Sequence, residues 1–205
     1  MNKNNKDWKE EKPLGKITCT SYDCDNKLHS FRTNRPKKDE TYRSEKCRAC
    51  GASLIDWDRI DKKDLTDINH TLNSLRMELW RHEYWCKRLD EKAIEHAKKV
   101  GMNGLKERIE NRLWTTLKKP KSENPWDGRQ TPLNGNIIYY AQHAVAACCR
   151  GCVEEWWSIK KDAEIKEKDI KYLAELVLSY IKSRLPDLPP EGSGSRQRRI
   201  GRSER

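Results

Sequence analysis

The stretch 127–157, DGRQTPLNGNIIYYAQHAVAACCRGCVEEWW, joins an alanine-rich apolar run to three closely spaced cysteines. Its Asp-Gly turn leads into a helix that we expect from about Ile137 to Ser158. At about 100° per residue, His143 and Arg150 lie on nearly the same face of a straight helix, and Cys152 lies on the opposite face. The stretch therefore predicts a central helix with one polar face and one thiol face.

Apolar residues recur at helical spacing on both sides of this stretch and predict four further helices. The first of these helices has a candidate N-cap at Thr66, and the second is capped by Asp90 and ends at Gly101. The third has an apolar stripe over about residues 105–117, and the last, after the central helix, ends before Pro186. Residues 120–136 are rich in Pro, Gly and Asn and predict a loop. We therefore expect a domain of about five helices over residues 64–186.

Residues 15–57 have no helical period and carry two cysteine pairs, Cys19-x4-Cys24 and Cys47-x2-Cys50. Two such pairs clasp one tetrahedral zinc ion in a zinc ribbon, and His29 is an alternative to either member of the first pair. A unit this small buries too little apolar surface to fold alone, so a structural zinc ion would supply the missing free energy. The expected fold class is mainly α with a small β zinc ribbon, α+β overall. Chelation should then unfold this unit and leave the helices largely intact.

The chain has 205 residues and a formal net charge of +11, which favours polyanionic partners. Its most basic stretch, residues 98–121, contains eight Lys or Arg and two Glu. Arg108, Arg112 and Lys119 share one helical side there, with Trp114 nearby. This pattern predicts contacts with a nucleic-acid backbone, and a solvated outer face is the alternative.

A different interpretation is an enzyme that acts on an anionic substrate. Asp127, Arg129, Gln130, His143 and Arg150 would converge where the DGRQTP loop meets the polar face of the central helix. The imidazole is the candidate acid and base because it titrates near neutral pH, and the two guanidinium groups would hold the anion.

The thiol face leaves two interpretations open. Cys148, Cys149 and Cys152 either pack as small hydrophobes or bind a second metal ion. His82 and Cys86 are four residues apart and continue an apolar stripe, so both should point inward. They either complete that site or form the half-polar end of the stripe.

The chain contains no apolar run long enough to span a membrane, and its first residues have no apolar signal region. Eight cysteines without such a signal indicate a reducing compartment, so we expect a cytoplasmic protein. Residues 1–14 and the basic tail 187–205 have the composition of disordered segments.

Several stretches of the chain resemble the bacterial family called domain of unknown function 4186. They are PLGKITC, LHSF, CRACGASLIDWDRI, DGRQTPLNGNIIYYAQHAVAACCRGCVEEWWSI and YIKSRLPDL. The resemblance spans about residues 13–188 and is most specific in DGRQTP and AQHA-x-A-x-CCR-x-C. It implies one ribbon at the four early cysteines and a motif at 127–131, Gln142, His143, 148–150 and Cys152. The family brings no established activity, so the resemblance implies no mechanism.

Overall fold

The computed structural model describes residues 17–33 and 40–194. These residues form seven helices: α1 (Trp57–Asp61), α2 (Ile68–Leu75), α3 (Leu79–Cys86), α4 (Glu91–Leu117), α5 (Ile137–Ala144), α6 (Arg150–Trp157) and α7 (Glu167–Arg184). The prediction of a mainly helical protein is confirmed, although the helices outnumber the expected five. The predicted β ribbon is wrong for the described residues, which contain isolated β-bridges and no strand.

Helix α5 lies at the centre of the helical packing, because it contacts α3, α4 and α7. Ile137, Ala141 and Ala144 are fully buried on it, and Tyr140 is almost fully buried. Small alanine side chains let the neighbouring helices approach closely, and the larger residues fill the remaining space. The alanine-rich run therefore forms the middle of the core, as its composition indicates.

The single central helix expected from Ile137 to Ser158 is wrong, because the chain breaks between α5 and α6. Ala146 adopts a left-handed conformation with φ 54°. The side-chain amide of Gln142 donates to the Ala147 carbonyl at 3.0 Å, and the Ala147 amide donates back to the Gln142 carbonyl at 2.8 Å. Because the two residues lie on different helices, the expectation that His143 and Cys152 face opposite sides of one straight helix does not apply.

A second break separates α2 from α3, where one continuous apolar stripe was expected. The His29 amide donates to the Met77 carbonyl at 2.7 Å, and the Leu79 amide donates to the His29 carbonyl at 3.0 Å. The extended chain around His29 thus takes up backbone groups that a continuous helix would have paired internally. The predicted N-cap at Thr66 is also wrong, since Asp67 occupies that position of α2.

Gly101 interrupts α4 as predicted, with φ 72° and ψ 166°, and Asp90 caps the helix by accepting from the Ala93 amide at 2.8 Å. The Met102 amide donates to the Pro189 carbonyl at 2.9 Å, so the chain after α7 runs along this break. A Cβ atom on Gly101 would lie 2.2 Å from the Gly192 nitrogen.

The tail 187–205 was expected to be disordered, but its first part, residues 187–194, is ordered and packs against α4. The rest of that tail and the expected disordered segment 1–14 lie outside the described residues.

Replacing Gly101 with alanine should destabilise the protein, because its backbone conformation is accessible essentially to glycine alone and the new Cβ would meet main-chain atoms. We expect Gly101→Ala to lower the free energy of unfolding by about 1–3 kcal/mol from backbone strain, with the clash adding to it. Urea unfolding measures the loss. Gly135→Ala is the control, because Gly135 also has a positive φ but has no atom within 4 Å of an added Cβ. Equal losses in the two variants would contradict the docking of the C-terminal segment.

Candidate metal centre

The N-terminal segment, residues 17–33 and 40–56, belongs to the same core as the helices. Phe31 is fully buried, with its ring edge-on to Trp57 and Trp156 at centroid distances of 5.8 and 6.3 Å. Arg43 donates to the Trp156 carbonyl at 2.9 Å. The part of the chain that was predicted to form a separate zinc unit thus packs against α6.

Four side chains of this segment, which we call the N-terminal cluster, bring their ligand atoms together: Cys24, His29, Cys47 and Cys50. These atoms all lie within 4.8 Å of one another. The sulfurs of Cys24 and Cys47 are 3.7 Å apart, and the Cys50 sulfur is 3.5 Å from His29 Nδ1. A tetrahedral zinc ion with ordinary bond lengths requires about 3.8 Å between two sulfurs and about 3.6 Å between sulfur and nitrogen. The cluster therefore already has the dimensions of a zinc site.

The backbone around Cys47 favours a thiolate at this position. Burial of the thiol raises its pKa, but hydrogen bonds from the backbone amides of Cys50, Ser30 and Ala49 outweigh that effect and lower the pKa to about 6. The Gly51 amide closes the turn by donating to the Cys47 carbonyl at 2.9 Å. Because metals bind the thiolate, this turn is prepared to coordinate one.

The predicted ligand set of Cys19, Cys24, Cys47 and Cys50 is wrong in one member. The thiol of Cys19 instead interacts with Cys152 in the core, and this interaction contributes to raising the pKa of Cys19. His29 takes its place, which is the alternative that the spacing left open. Its imidazole is positioned by its backbone, which pairs with the break between α2 and α3.

A second group of thiols, which we call the core cluster, forms where α6 begins. The sulfurs of Cys148, Cys149 and Cys152 lie within 4.8 Å of one another, and all three side chains are buried. Cys149 is the N-cap of α6, and its sulfur accepts from the Cys152 amide at 3.5 Å. The break after α5 makes this convergence possible.

His82 and Cys86 do not join the core cluster. They contact each other, with 3.3 Å between His82 Nε2 and Cys86 Sγ, and Cys86 is exposed. The expectation that both side chains point inward is wrong, because the break after α2 gives α3 a different buried face, formed by Leu79, Arg81, Tyr84 and Trp85.

Buried charged residues surround the core cluster, and none of them was predicted from the sequence. Arg81 Nε donates to Glu78 Oε2 at 3.2 Å, and Arg32 Nη1 donates to Glu155 Oε2 at 2.6 Å. Burial raises the pKa of both carboxyl groups. The sequence does contain a signal for them, namely charged residues inside apolar stretches, such as Glu155 directly before Trp156. A charge in such a place is expected to be buried, and buried charges must be paired.

The residues of the predicted enzyme pocket converge only in part, because Asp127 contacts the Gln130 side chain and the Arg150 amide but the two guanidinium groups do not meet. Arg150 is fully buried, and its guanidinium group donates to the carbonyls of Leu117, Lys160 and Ala163 at 3.0, 2.6 and 2.7 Å. This side chain is occupied in joining α4 to the loop before α7. Arg129 is exposed. The two cations expected to hold an anion are therefore not available together.

His143 lies among aromatic side chains. Its ring stacks on Tyr84 at a centroid distance of 4.5 Å and is edge-on to Trp80 at 5.8 Å. Its Nε2 is 3.2 Å from the Pro132 carbonyl. Burial, together with the nearby charge of Arg81, lowers the pKa of His143 to about 4, so the imidazole is neutral at pH 7.

The DGRQTP loop fastens the start of α6. Asp127 Oδ1 accepts from the Arg150 amide at 2.8 Å and from the Gln130 side chain at 3.1 Å. The Thr131 hydroxyl donates to the Cys148 carbonyl at 2.9 Å. These contacts give Asp127 and Gln130 a structural role, which is to hold the backbone that carries the thiols.

The predicted basic surface on α4 is only partly exposed. Arg108, Lys119 and Trp114 are exposed. Arg112 instead donates to the Gln130 carbonyl at 2.5 Å and lies over the Tyr139 ring, 5.0 Å from its centroid. It therefore helps to position the DGRQTP loop.

These features define a mainly helical protein with two cysteine-rich clusters that are able to hold metal ions. A family model described as "Domain of unknown function (DUF4186)" matches residues 69–182, and the chain belongs to that family. The match includes the core cluster and excludes the N-terminal cluster. No solved structure matches the chain. Among the described residues, no helix has both the length and the apolar character to cross a membrane.

An NMR titration of the His143 imidazole should show a midpoint near pH 4, well below the usual value of about 6.5. Between pH 6.5 and pH 4 the His143 imidazole is protonated in the unfolded chain but not in the folded protein. The free energy of unfolding should therefore fall by up to about 3 kcal/mol as the pH falls from 6.5 to 4. The spectrum of His143→Gln assigns the resonance. A midpoint near 6.5 would contradict the buried position of the ring.

Proposed function

We propose that this protein binds one structural zinc ion through the N-terminal cluster and that the ion fixes the N-terminal segment to the helices. The observation that carries the proposal is the match of two separations, 3.7 Å between sulfurs and 3.5 Å between sulfur and nitrogen, to the edges of a zinc tetrahedron. Three thiolates and one imidazole would fill the four positions. Such a closed site supports a structural role rather than a catalytic one.

The position of His29 supports this role. Its backbone pairs with Met77 and Leu79, and Phe31 enters the core two residues later. Zinc would join this fixed part of the chain to the turns that contain Cys24 and Cys47. We therefore expect metal loss to weaken the helical core as well, in contrast to the local unfolding that a separate ribbon would show.

The test is the zinc content of the full chain, purified under reducing conditions without chelator, compared between the wild type, Cys47→Ser and His29→Gln. Each variant should lose one zinc ion per chain and should unfold at a lower temperature than the wild type, because the zinc would no longer stabilise the folded state. Cys86→Ser is the matched control, because it removes a thiol from outside both clusters. Unchanged zinc content in both variants would refute this site.

We propose nucleic-acid association as a second function, which is independent of the first. Its support is the net charge of +11 together with the exposed cations Arg108 and Lys119 and the exposed Trp114. Lys46 and Arg48 are exposed at the Cys47 turn and add positive charge there. A cationic surface binds phosphates by releasing counterions, and an exposed indole stacks on unpaired bases.

Binding to a short DNA duplex and to single-stranded RNA, measured across a range of salt concentrations, tests this second proposal. The double variant Arg108→Ala/Lys119→Ala should weaken binding and flatten the logarithmic salt slope by up to about two units, roughly one for each lost phosphate contact. Lys166→Ala/Lys168→Ala removes the same charge from exposed positions beside and on α7 and should leave the slope closer to that of the wild type. If the two double variants behave alike, the α4 surface is not the binding surface.

A further inference from the structure

We infer that the core of this protein holds a second zinc ion, bound by the thiolates of Cys148, Cys149 and Cys152 at the start of α6 and by Cys19 from the N-terminal segment. This site is separate from the N-terminal cluster and does not depend on it. The fourth ligand, Cys19, lies outside residues 69–182, the part of the chain that the family model matches, whereas the other three ligands lie inside it.

The spacing of the three core sulfurs fits a single ion. They lie within 4.8 Å of one another, and sulfurs on one tetrahedral zinc ion are about 3.8 Å apart. An iron–sulfur cluster distributes its cysteine ligands over several irons and so requires wider spacing. The geometry therefore favours one mononuclear ion that still lacks a ligand, because structural zinc takes four.

Cys19 is placed to be that ligand. The Cys152 thiol interacts with three other thiols, those of Cys148, Cys149 and Cys19. Cys19 lies next to the core cluster on the side of Cys152. A bound ion would draw the Cys19 sulfur toward the sulfurs of Cys148 and Cys149.

The charges around the cluster suit a metal better than they suit apolar packing. Arg32 Nη1 lies 3.5 Å from the Cys152 sulfur, and Arg81 Nη1 lies 4.0 Å from the Cys148 sulfur. One zinc ion with four thiolates is a dianion, and these two guanidinium groups would lie beside it. Arg32 and Arg81 also pair with Glu155 and Glu78, so the sulfurs are additional acceptors for buried cations.

The same network contains unsatisfied polar atoms. Arg81 Nη2 and Glu155 Oε1 have no hydrogen-bond partner although both side chains are fully buried. Such atoms cost free energy in a closed core. A dianionic metal centre beside Arg81 would compensate for part of that cost.

Gly151 provides the space for this arrangement. A Cβ atom at this position would lie 2.7 Å from Arg32 Nη2 and 3.3 Å from the Tyr42 ring. The glycine between Cys149 and Cys152 thus lets the guanidinium group of Arg32 approach the start of α6, where the sulfurs are.

Elemental analysis of the full chain tests the inference, again with protein purified under reducing conditions without chelator. The wild type should contain two zinc ions per chain, and Cys152→Ser and Cys47→Ser should each contain half as much. Cys86→Ser should keep both ions. Substitution with Co²⁺ then reports the ligands, because sulfur-to-cobalt charge-transfer absorption grows with the number of thiolates. Cys19→Ser should reduce that absorption at the core site when it is measured in the Cys47→Ser background.

The outcomes separate the two sites. One zinc ion in the wild type that Cys47→Ser abolishes would overturn the core site and leave the N-terminal site standing. One zinc ion that Cys47→Ser retains and Cys152→Ser loses would support the core site and overturn the other. If Cys152→Ser does not fold, Cys19→Ser decides, because its turn is only partly buried. Unchanged cobalt absorption in Cys19→Ser, iron in place of zinc, or a disulfide among these thiols would each overturn the assignment.

Discussion

The ion pair between Arg32 and Glu155, 2.6 Å long, fixes the N-terminal segment to the buried side of α6. Glu155 is fully buried, and its other cationic neighbour is Arg81, at 3.9 Å. A carboxylate in such a place is very costly without a partner, so α3, α6 and the N-terminal segment are stable only when all three are assembled. The backbone pairing of His29 and the packing of Phe31 follow from the same placement, because both residues lie on the extended chain that Arg32 holds.

The two cysteine clusters share this extended chain. Cys19 contacts the core cluster, whereas Cys24 and His29 belong to the N-terminal cluster a few residues later. The family match at residues 69–182 contains three core thiols and both Glu155 and Arg81. The N-terminal segment adds the remaining parts of that environment, namely Cys19 and Arg32.

Local signals in the sequence predicted the parts of the fold that depend on local chemistry. The cap at Asp90, the interruption at Gly101 and the Cys-x-x-Cys turn all lie where they were expected. The breaks after α2 and α5 were not predictable in this way. The first arises because the distant residue His29 takes backbone hydrogen bonds, and the second because the side chain of Gln142 bonds to the chain beyond it. Cys19 was assigned to the wrong cluster for the same reason, since spacing cannot reveal a partner far along the chain.

The interleaved ligands also constrain the order of folding. Cys24 and Cys47 are 23 residues apart, whereas the contact of Arg32 with Cys152 spans 120 residues. The shorter loop closes at a lower entropic cost, so the early cysteines meet before the core forms. At that stage Cys19 is as near to Cys24 in sequence as His29 is, and a zinc ion captured by four thiolates would be a kinetic trap. Completion of the fold would then require ligand exchange, with His29 replacing Cys19 as the extended chain docks between α2 and α3.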